Sequence, residues 1–192
     1  MTEMNIRDTI AESIATKQKL LEDAEMLSLI EAAASACIDC FRSGGKVLFC
    51  GNGGSAADAQ HIAAELSGRF NFDRDPLFAE ALHVNSSFVT AVANDYSYED
   101  VYRRMVQAAG RKGDVLFGIS TSGNSTNVIN AILQARDLEM VTIGLTGAKG
   151  GKLNETCNLC IRVPSDNTAR IQESHILVGH IICDIVEKEL FS

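Results

Sequence analysis

Residues 46–68 read KVLFC, GNGG, SAADAQHIAAELSG, and the fold follows from this stretch. Residues 46–50 are an unbroken apolar run too short for a helix, which predicts a strand buried on both faces. Glycines follow, and then residues 55–68 carry a helical pattern. The same sequence of events recurs along the chain. FAEALHV (78–84), VLFGIS (115–120), VTIGLT (141–146) and LCIRVP (159–164) are strand-length apolar runs bounded by Gly, Asn, Asp or Ser. Helical segments are expected at 86–109, with a break near Asn94, and at 124–137 and 168–190, while VTIGLT leads into a short Gly- and Lys-rich turn. Strands alternating with helices predict an α/β fold, a three-layer doubly wound sandwich around a five-stranded parallel sheet. Upstream, two helices are expected at 6–22 and 26–42, an N-terminal helical hairpin within residues 1–43. Ile6, Ile10, Ile14 and Leu21 form a narrow stripe on the first, and Leu27, Ile30, Ala34, Cys37 and Phe41 form one on the second. Ser43-Gly44-Gly45 ends it.

The 192 residues suit one domain, and 46% hydrophobic against 22% charged residues is a globular composition able to bury a full core unaided. A net charge of −8 without any run of five like charges argues against nucleic acid as the main ligand. No apolar stretch approaches the ~20 residues of a membrane span, and MTEMNIRDTI is not the start of a signal peptide, so no membrane association and a cytoplasmic location are expected. Cys37-x-x-Cys40 and Cys157-x-x-Cys160 are too far apart for a zinc ribbon, and read as small buried hydrophobes in a reducing compartment.

In a doubly wound sheet, ligands bind beyond the carboxyl ends of the strands. Gly51-Asn52-Gly53-Gly54-Ser55 follows the first strand and Ser120-Thr121-Ser122-Gly123-Asn124-Ser125 the third, each opening into a helix. Either loop alone would serve simply as a helix cap. Two at strand ends, with free N–H groups and hydroxyls, make a cradle for the phosphate of a small hydroxyl-rich ligand. Neither has the spacing of a dinucleotide or P-loop fingerprint. On the helix after the first loop, the i, i+4 pair His61 and Glu65 either decorates a surface or shares a metal ion or a substrate proton. The last helix carries Gln172, His175 and His180 among apolar residues, where a lone histidine would more often belong to the core.

GNGGSAADAQHIAAEL (51–66), VANDYSY (92–98), GDVLFGISTSGNSTNV (113–128), LTGAKGG (145–151) and TARIQESH (168–175) resemble the sugar-isomerase (SIS) family and, within it, the phosphoheptose isomerases. The likeness runs from residue 1 to 191. It implies a single SIS domain over 1–192 with flavodoxin-like strand order, whose hairpin 1–43 assembles a homotetramer. It also implies conversion of sedoheptulose 7-phosphate, a phosphorylated seven-carbon sugar, to D-glycero-D-manno-heptose 7-phosphate through an enediolate. That would be the first step toward ADP- or GDP-heptose, a lipopolysaccharide precursor. By the same resemblance Asn52, Gly53, Gly54, Glu65, Asn94, Asp95 and Gln172 contact the sugar, and Ser120, Thr121, Ser122 and Ser125 hold its phosphate. One zinc ion per subunit would sit near His61, Glu65, Gln172 and His180. Glu65 and His180 would be the catalytic proton-transfer pair, in either assignment of base and acid. Gln172 and His180 stand about 12 Å apart along a helix, so one ion meets both only between extended side chains, or else a second chain contributes. The alternative is a non-catalytic SIS adaptor for a replication initiator, a class that lacks the acid–base pair. A sugar-phosphate-sensing regulator would need a DNA-binding segment.

Overall fold

The computed structural model describes residues 5–192, so the first four residues of the expected hairpin and of the N-terminus judged above lie outside the described residues. Strands β1 (Val47–Gly51), β2 (Ala79–Ala81), β3 (Val115–Ile119), β4 (Val141–Thr146) and β5 (Leu159–Arg162) form one parallel sheet in the order β2-β1-β3-β4-β5. The helices are α1 (Ile6–Glu22), α2 (Ala24–Arg42), α3 (Gly54–Ser67), α4 (Ser86–Asp95), α5 (Val101–Ala109), α6 (Thr126–Asp137), α7 (Gly151–Thr156) and α8 (Thr168–Phe191). A 3-10 turn, Tyr98–Asp100, lies between α4 and α5. Among the described residues no helix is long and apolar enough to cross a membrane.

Continuous apolar strands make sense because each face of the sheet has its own core. Val47, Phe49, Phe117, Ile143 and Ile161 point into a layer shared with α2, α3 and α8. Leu48, Cys50 and Leu116 point the other way, against Val106, Val128, Ile132 and Leu153 of α5, α6 and α7. Phe49 and Phe117 stack across β1 and β3 at 4.9 Å between ring centroids. These two strands pair in register from Val47↔Val115 to Gly51↔Ile119, so their carboxyl ends finish together. From there the chain departs to opposite faces, into α3 after β1 and α6 after β3. That divergence is the switch point at which such sheets bind ligands.

The sheet departs from the sequence reading in two places. Only Ala79–Ala81 of the expected 78–84 run is strand, because β2 is an edge paired with β1 alone. The turn after β4 continues into α7, whose six residues are too few to show a helical period. The cysteines are all free, with Cys37 and Cys40 in the core on one face of the sheet and Cys157 against the other, so the two pairs share no site.

Helix α1 docks on the start of α8 through polar groups. Arg170, buried on α8, donates to the Thr9 carbonyl and pairs with Glu12 and Glu173, while the Ser13 hydroxyl donates to Glu173 at 2.6 Å. The isoleucine stripe is left outside: Ile6, Ile10 and Ile14 are 77%, 55% and 62% exposed.

His175 belongs to the core, wholly buried with its Nε2 3.1 Å from the Thr146 carbonyl. Burial lowers its pKa to about 4, against a partial offset from that hydrogen bond. The folded value lies below the unfolded one, so this contribution to stability is complete above pH ~6.5 and drains away as the pH falls toward about 4. Urea unfolding should show the wild type losing about 3 kcal/mol more than His175→Gln between pH 7 and pH 4; parallel curves would disprove the linkage.

Candidate active site

The loop after β1 is held from two sides. The Tyr102 hydroxyl donates to the Gly51 carbonyl. The side chain of Asn52 exchanges two 2.8 Å hydrogen bonds with buried Asn127 in the first turn of α6 and accepts a third from the Tyr98 hydroxyl. At the start of α3, Gly54 faces α8 so closely that a Cβ there would stand 2.5 Å from Gln172 Nε2. Gln172 is thereby held beside the loop after β1. One helical stretch further on, a Cβ on Gly179 would collide with the Ile62 side chain. The two contacts show that α3 and α8 run in the same direction and nearly in step.

That register brings His180 to His61 and Glu65. His61 Nε2 lies 2.9 Å from Glu65 Oε1 and 3.3 Å from His180 Nε2, and the three ligand atoms fall within 4.8 Å of one another. Two nitrogens bound to one tetrahedral ion at 2.0–2.1 Å stand about 3.3 Å apart, so the spacing of the two imidazoles fits a shared divalent cation. Glu65 adds a carboxylate and is half-buried. Gln172 contacts Gly54 instead, eight residues before His180. The Phe70 ring covers His180 at 5.5 Å between centroids. Beneath the cluster, burial and then the Glu65 carboxylate push the Cys183 thiol up to about 12.

The loop after β3 concentrates hydroxyls at the N-terminus of α6. Ser120 Oγ lies 2.9 Å from Ser125 Oγ and 3.4 Å from Ser122 Oγ. The loop is braced by the segment after β4: Gly147 N donates to Thr121 O, Leu153 N to Gly123 O, and Lys152 N to Asn124 Oδ1. At Gly123, φ is 66° and a Cβ would overlap the Gly150 carbonyl, so only glycine closes this turn. A cavity of about 260 Å³ opens here, lined in part by Thr121, Ser122, Asn124 and Lys149. A larger cleft between α2 and the C-terminal end of α8 contains none of these groups. Asn94 and Asp95 sit exposed at the end of α4, where Asn94 Nδ2 donates to Asp95 Oδ1 at 2.9 Å.

A buried ion pair fixes the far end of the cluster. Arg74 Nε and Glu187 Oε1 lie 2.8 Å apart with both side chains 1% exposed. Arg74 also donates to the carbonyls of Glu65, Leu66 and Gly68, satisfying the C-terminus of α3. Glu187 accepts from the backbone N–H groups of Phe70 and Asn71. Burial would raise the Glu187 carboxyl, but these N–H groups and Arg74 outweigh it and hold the pKa below the ordinary value. One charged pair therefore anchors Glu65 through its own carbonyl and His180 through the ring of Phe70.

The structure thus joins His61, Glu65 and His180, gathers Ser120, Ser122 and Ser125, and sets Gln172 against Gly54. Sequence reading missed Asn127, Tyr98, Arg74 and Glu187. Asn127 stood inside the quoted STSGNSTNV stretch, where an amide on an inward-facing turn was the available signal.

The SIS domain family model matches residues 10–147. The chain is 52% identical over 186 residues to phosphoheptose isomerase 2 of Campylobacter jejuni subsp. jejuni serotype O:2, covering 97% of this chain and 92% of that protein. It is 50% identical to the phosphoheptose isomerase of Aneurinibacillus thermoaerophilus over 97% of this chain and 94% of that one. A solved structure of a phosphoheptose isomerase from Francisella tularensis superposes with a TM-score of 0.92 at 41% identity, covering 98% of this chain and all of that one.

Removing one member of a buried ion pair strands the other charge, at a cost of about 3 kcal/mol or more. Glu187→Gln should lose that much in urea denaturation, whereas Arg74→Met with Glu187→Met should recover most of it. A Glu187→Gln protein as stable as wild type would show that the pair carries no such role.

Proposed function

The chain belongs to the SIS-domain family and, within it, to the phosphoheptose isomerases, and from that premise we propose that Glu65 and His180 carry its proton transfers. The enzyme is an aldose–ketose isomerase that interconverts sedoheptulose 7-phosphate and D-glycero-D-manno-heptose 7-phosphate. The observation that carries the assignment of roles is the meeting of His61, Glu65 and His180 at 2.9 and 3.3 Å, on helices whose N-terminal ends border the sugar loop. The adaptor reading is not favoured, since relatives at about half identity over nearly the whole chain are named as isomerases.

In this reading the phosphate rests on Ser120, Thr121, Ser122 and Ser125, and the sugar on the loop of Asn52, Gly53 and Gly54, with Asn94, Asp95 and Gln172 at its hydroxyls. Glu65 Oε1 faces His61, and its other oxygen takes the proton from C1. The C–H electrons form the C1=C2 bond as His180 gives a proton to the carbonyl oxygen at C2, leaving a cis-enediol. This becomes the enediolate when the now neutral His180 takes the O1 proton, and Glu65 returns its proton to C2 to give the aldose. His61, Glu65 and His180 would hold one zinc ion per subunit, which Gln172 would join only by turning its amide away from Gly54, and when bound the ion supplies a Lewis acid at the substrate oxygens. Two imidazoles and a carboxylate suit that ion, and a neutral amide makes a weakly held fourth ligand.

We also assign the hairpin of α1 and α2 to a homotetramer, because the isoleucines of α1 face outward while its polar side is occupied by α8. The cytoplasm is the location proposed, where six free thiols persist and a nucleotide-heptose route would draw on the product.

Incubation with sedoheptulose 7-phosphate, following the appearance of aldose, tests the reaction. Glu65→Gln should slow it by ~100-fold or more, and a wild-type rate in that variant would remove Glu65 from the chemistry. For the assembly, Ile10→Asp with Ile14→Asp should yield smaller species by light scattering; a double mutant that stays tetrameric would show that the stripe is not the contact.

A further inference from the structure

The amide pair between the two cradle loops has a direction that can be worked out atom by atom. The Val128 backbone N–H donates to Asn127 Oδ1 at 3.0 Å. A backbone N–H can only donate, so the atom facing it is the oxygen of Asn127 and not its NH2 group. Asn127 Oδ1 also receives Asn52 Nδ2, and Asn127 Nδ2 donates to Asn52 Oδ1, each at 2.8 Å. Asn52 is therefore fixed in turn, and the Tyr98 hydroxyl, 3.2 Å from Asn52 Oδ1, must act as donor. Both acceptor positions of the Asn52 oxygen are then filled. One proton of its Nδ2 is the only hydrogen-bonding capacity left on the side chain.

We propose that Asn127 is a positioning residue that locks Asn52 as a one-proton donor to an oxygen of the substrate. This rests on the assignment of Asn52 to the sugar loop and deepens it, for it states what the side chain can recognise. Asn52 serves a carbonyl, a hydroxyl oxygen or the negatively charged oxygen of an enediolate, and it cannot accept from a hydroxyl proton. Asn127 is 4% exposed and itself has little surface to offer a ligand, so its effect passes through Asn52. The bond also spans the switch point, from the loop after β1 to the helix after β3, and holds the sugar loop at a set distance from the phosphate loop.

The substitution that separates positioning from packing is Asn127→Asp. It keeps the shape and the acceptor for Val128 and Asn52 Nδ2, but it faces the Asn52 oxygen with another acceptor. We expect kcat to fall about tenfold, KM for sedoheptulose 7-phosphate to change less than threefold, and the melting temperature to stay within a few degrees. In an Asn52→Ala background the same change should alter kcat less than twofold, since its target is gone. Losses that multiply in the double mutant would overturn the proposal. A second measurement does not depend on turnover or on the variant folding. In the wild-type protein, side-chain amide NMR should show one Asn52 proton protected from exchange and one open to it, the open one shifting when sedoheptulose 7-phosphate is added. Two equally open protons would refute the lock. An inactive wild type with the asymmetric pattern would sink the isomerase roles and leave the lock standing, so the two failures are distinct.

Discussion

Ile62 occupies the space that a side chain at position 179 would fill. That single close approach lets α3 and α8 run side by side in step, and the placement of the reactive groups descends from it. Glycine is the only residue whose backbone a branched side chain can approach so nearly. With the register set there, residues 61 and 180, the chain neighbours of that contact, meet beside it, and residues 54 and 172 meet at the opening end. The rest of the fold serves this pairing. The sheet supplies an inert base of large apolar side chains, and the in-register ends of β1 and β3 deliver the two loops to the same rim.

Polar groups of quite different exposure share this small region, and each has a separate physical reason to be there. The imidazoles and carboxylate of His61, Glu65 and His180 stay partly open to water. Arg74 and Glu187 are closed off, and a buried pair of that kind adds little net stability for its desolvation. What it adds is definition: the fork of the guanidinium takes three carbonyls at the end of α3 while the carboxylate takes two backbone N–H groups of the following loop. Asn52 and Asn127 do the equivalent with neutral groups at the other end of the same helix.

Much of this could be read from the chain because its signals are local. Five apolar runs marked five strands, and GNGGS and STSGNS announced themselves by composition at two strand ends. His61 and Glu65 followed from their spacing, since four residues return a helix to the same face. His180 was harder to separate from His175, because both sit among apolar residues of one helix. Five residues turn a helix by about 140°, which carries His175 to the sheet and leaves His180 toward α3. Contacts such as Asn52 with Asn127, or Arg74 with Glu187, join residues 75 and 113 apart. No local pattern encodes them, and a polar residue in a helix looks solvent-bound until its partner is placed beside it. The short α7 was lost because it is too brief to show a helical period, and β2 was found but drawn too long, because an edge strand pairs over fewer residues than its apolar run covers.

The raised thiols have a consequence for how the folded protein meets reagents. Burial pushes Cys157 and Cys183 up to about 12 and Cys40 to about 11, and moves Cys37 and Cys50 upward as well. At neutral pH almost none of these sulfurs is a thiolate, the form that alkylating and oxidising agents attack. Cys37, Cys40 and Cys183 lie in the layer of α2 and α8, and Cys50 and Cys157 in the layer of α5 and α6. Chemical silence is thus a property of the intact core on both sides of the sheet. The position at which a thiol reagent first reacts identifies which of the two layers has opened.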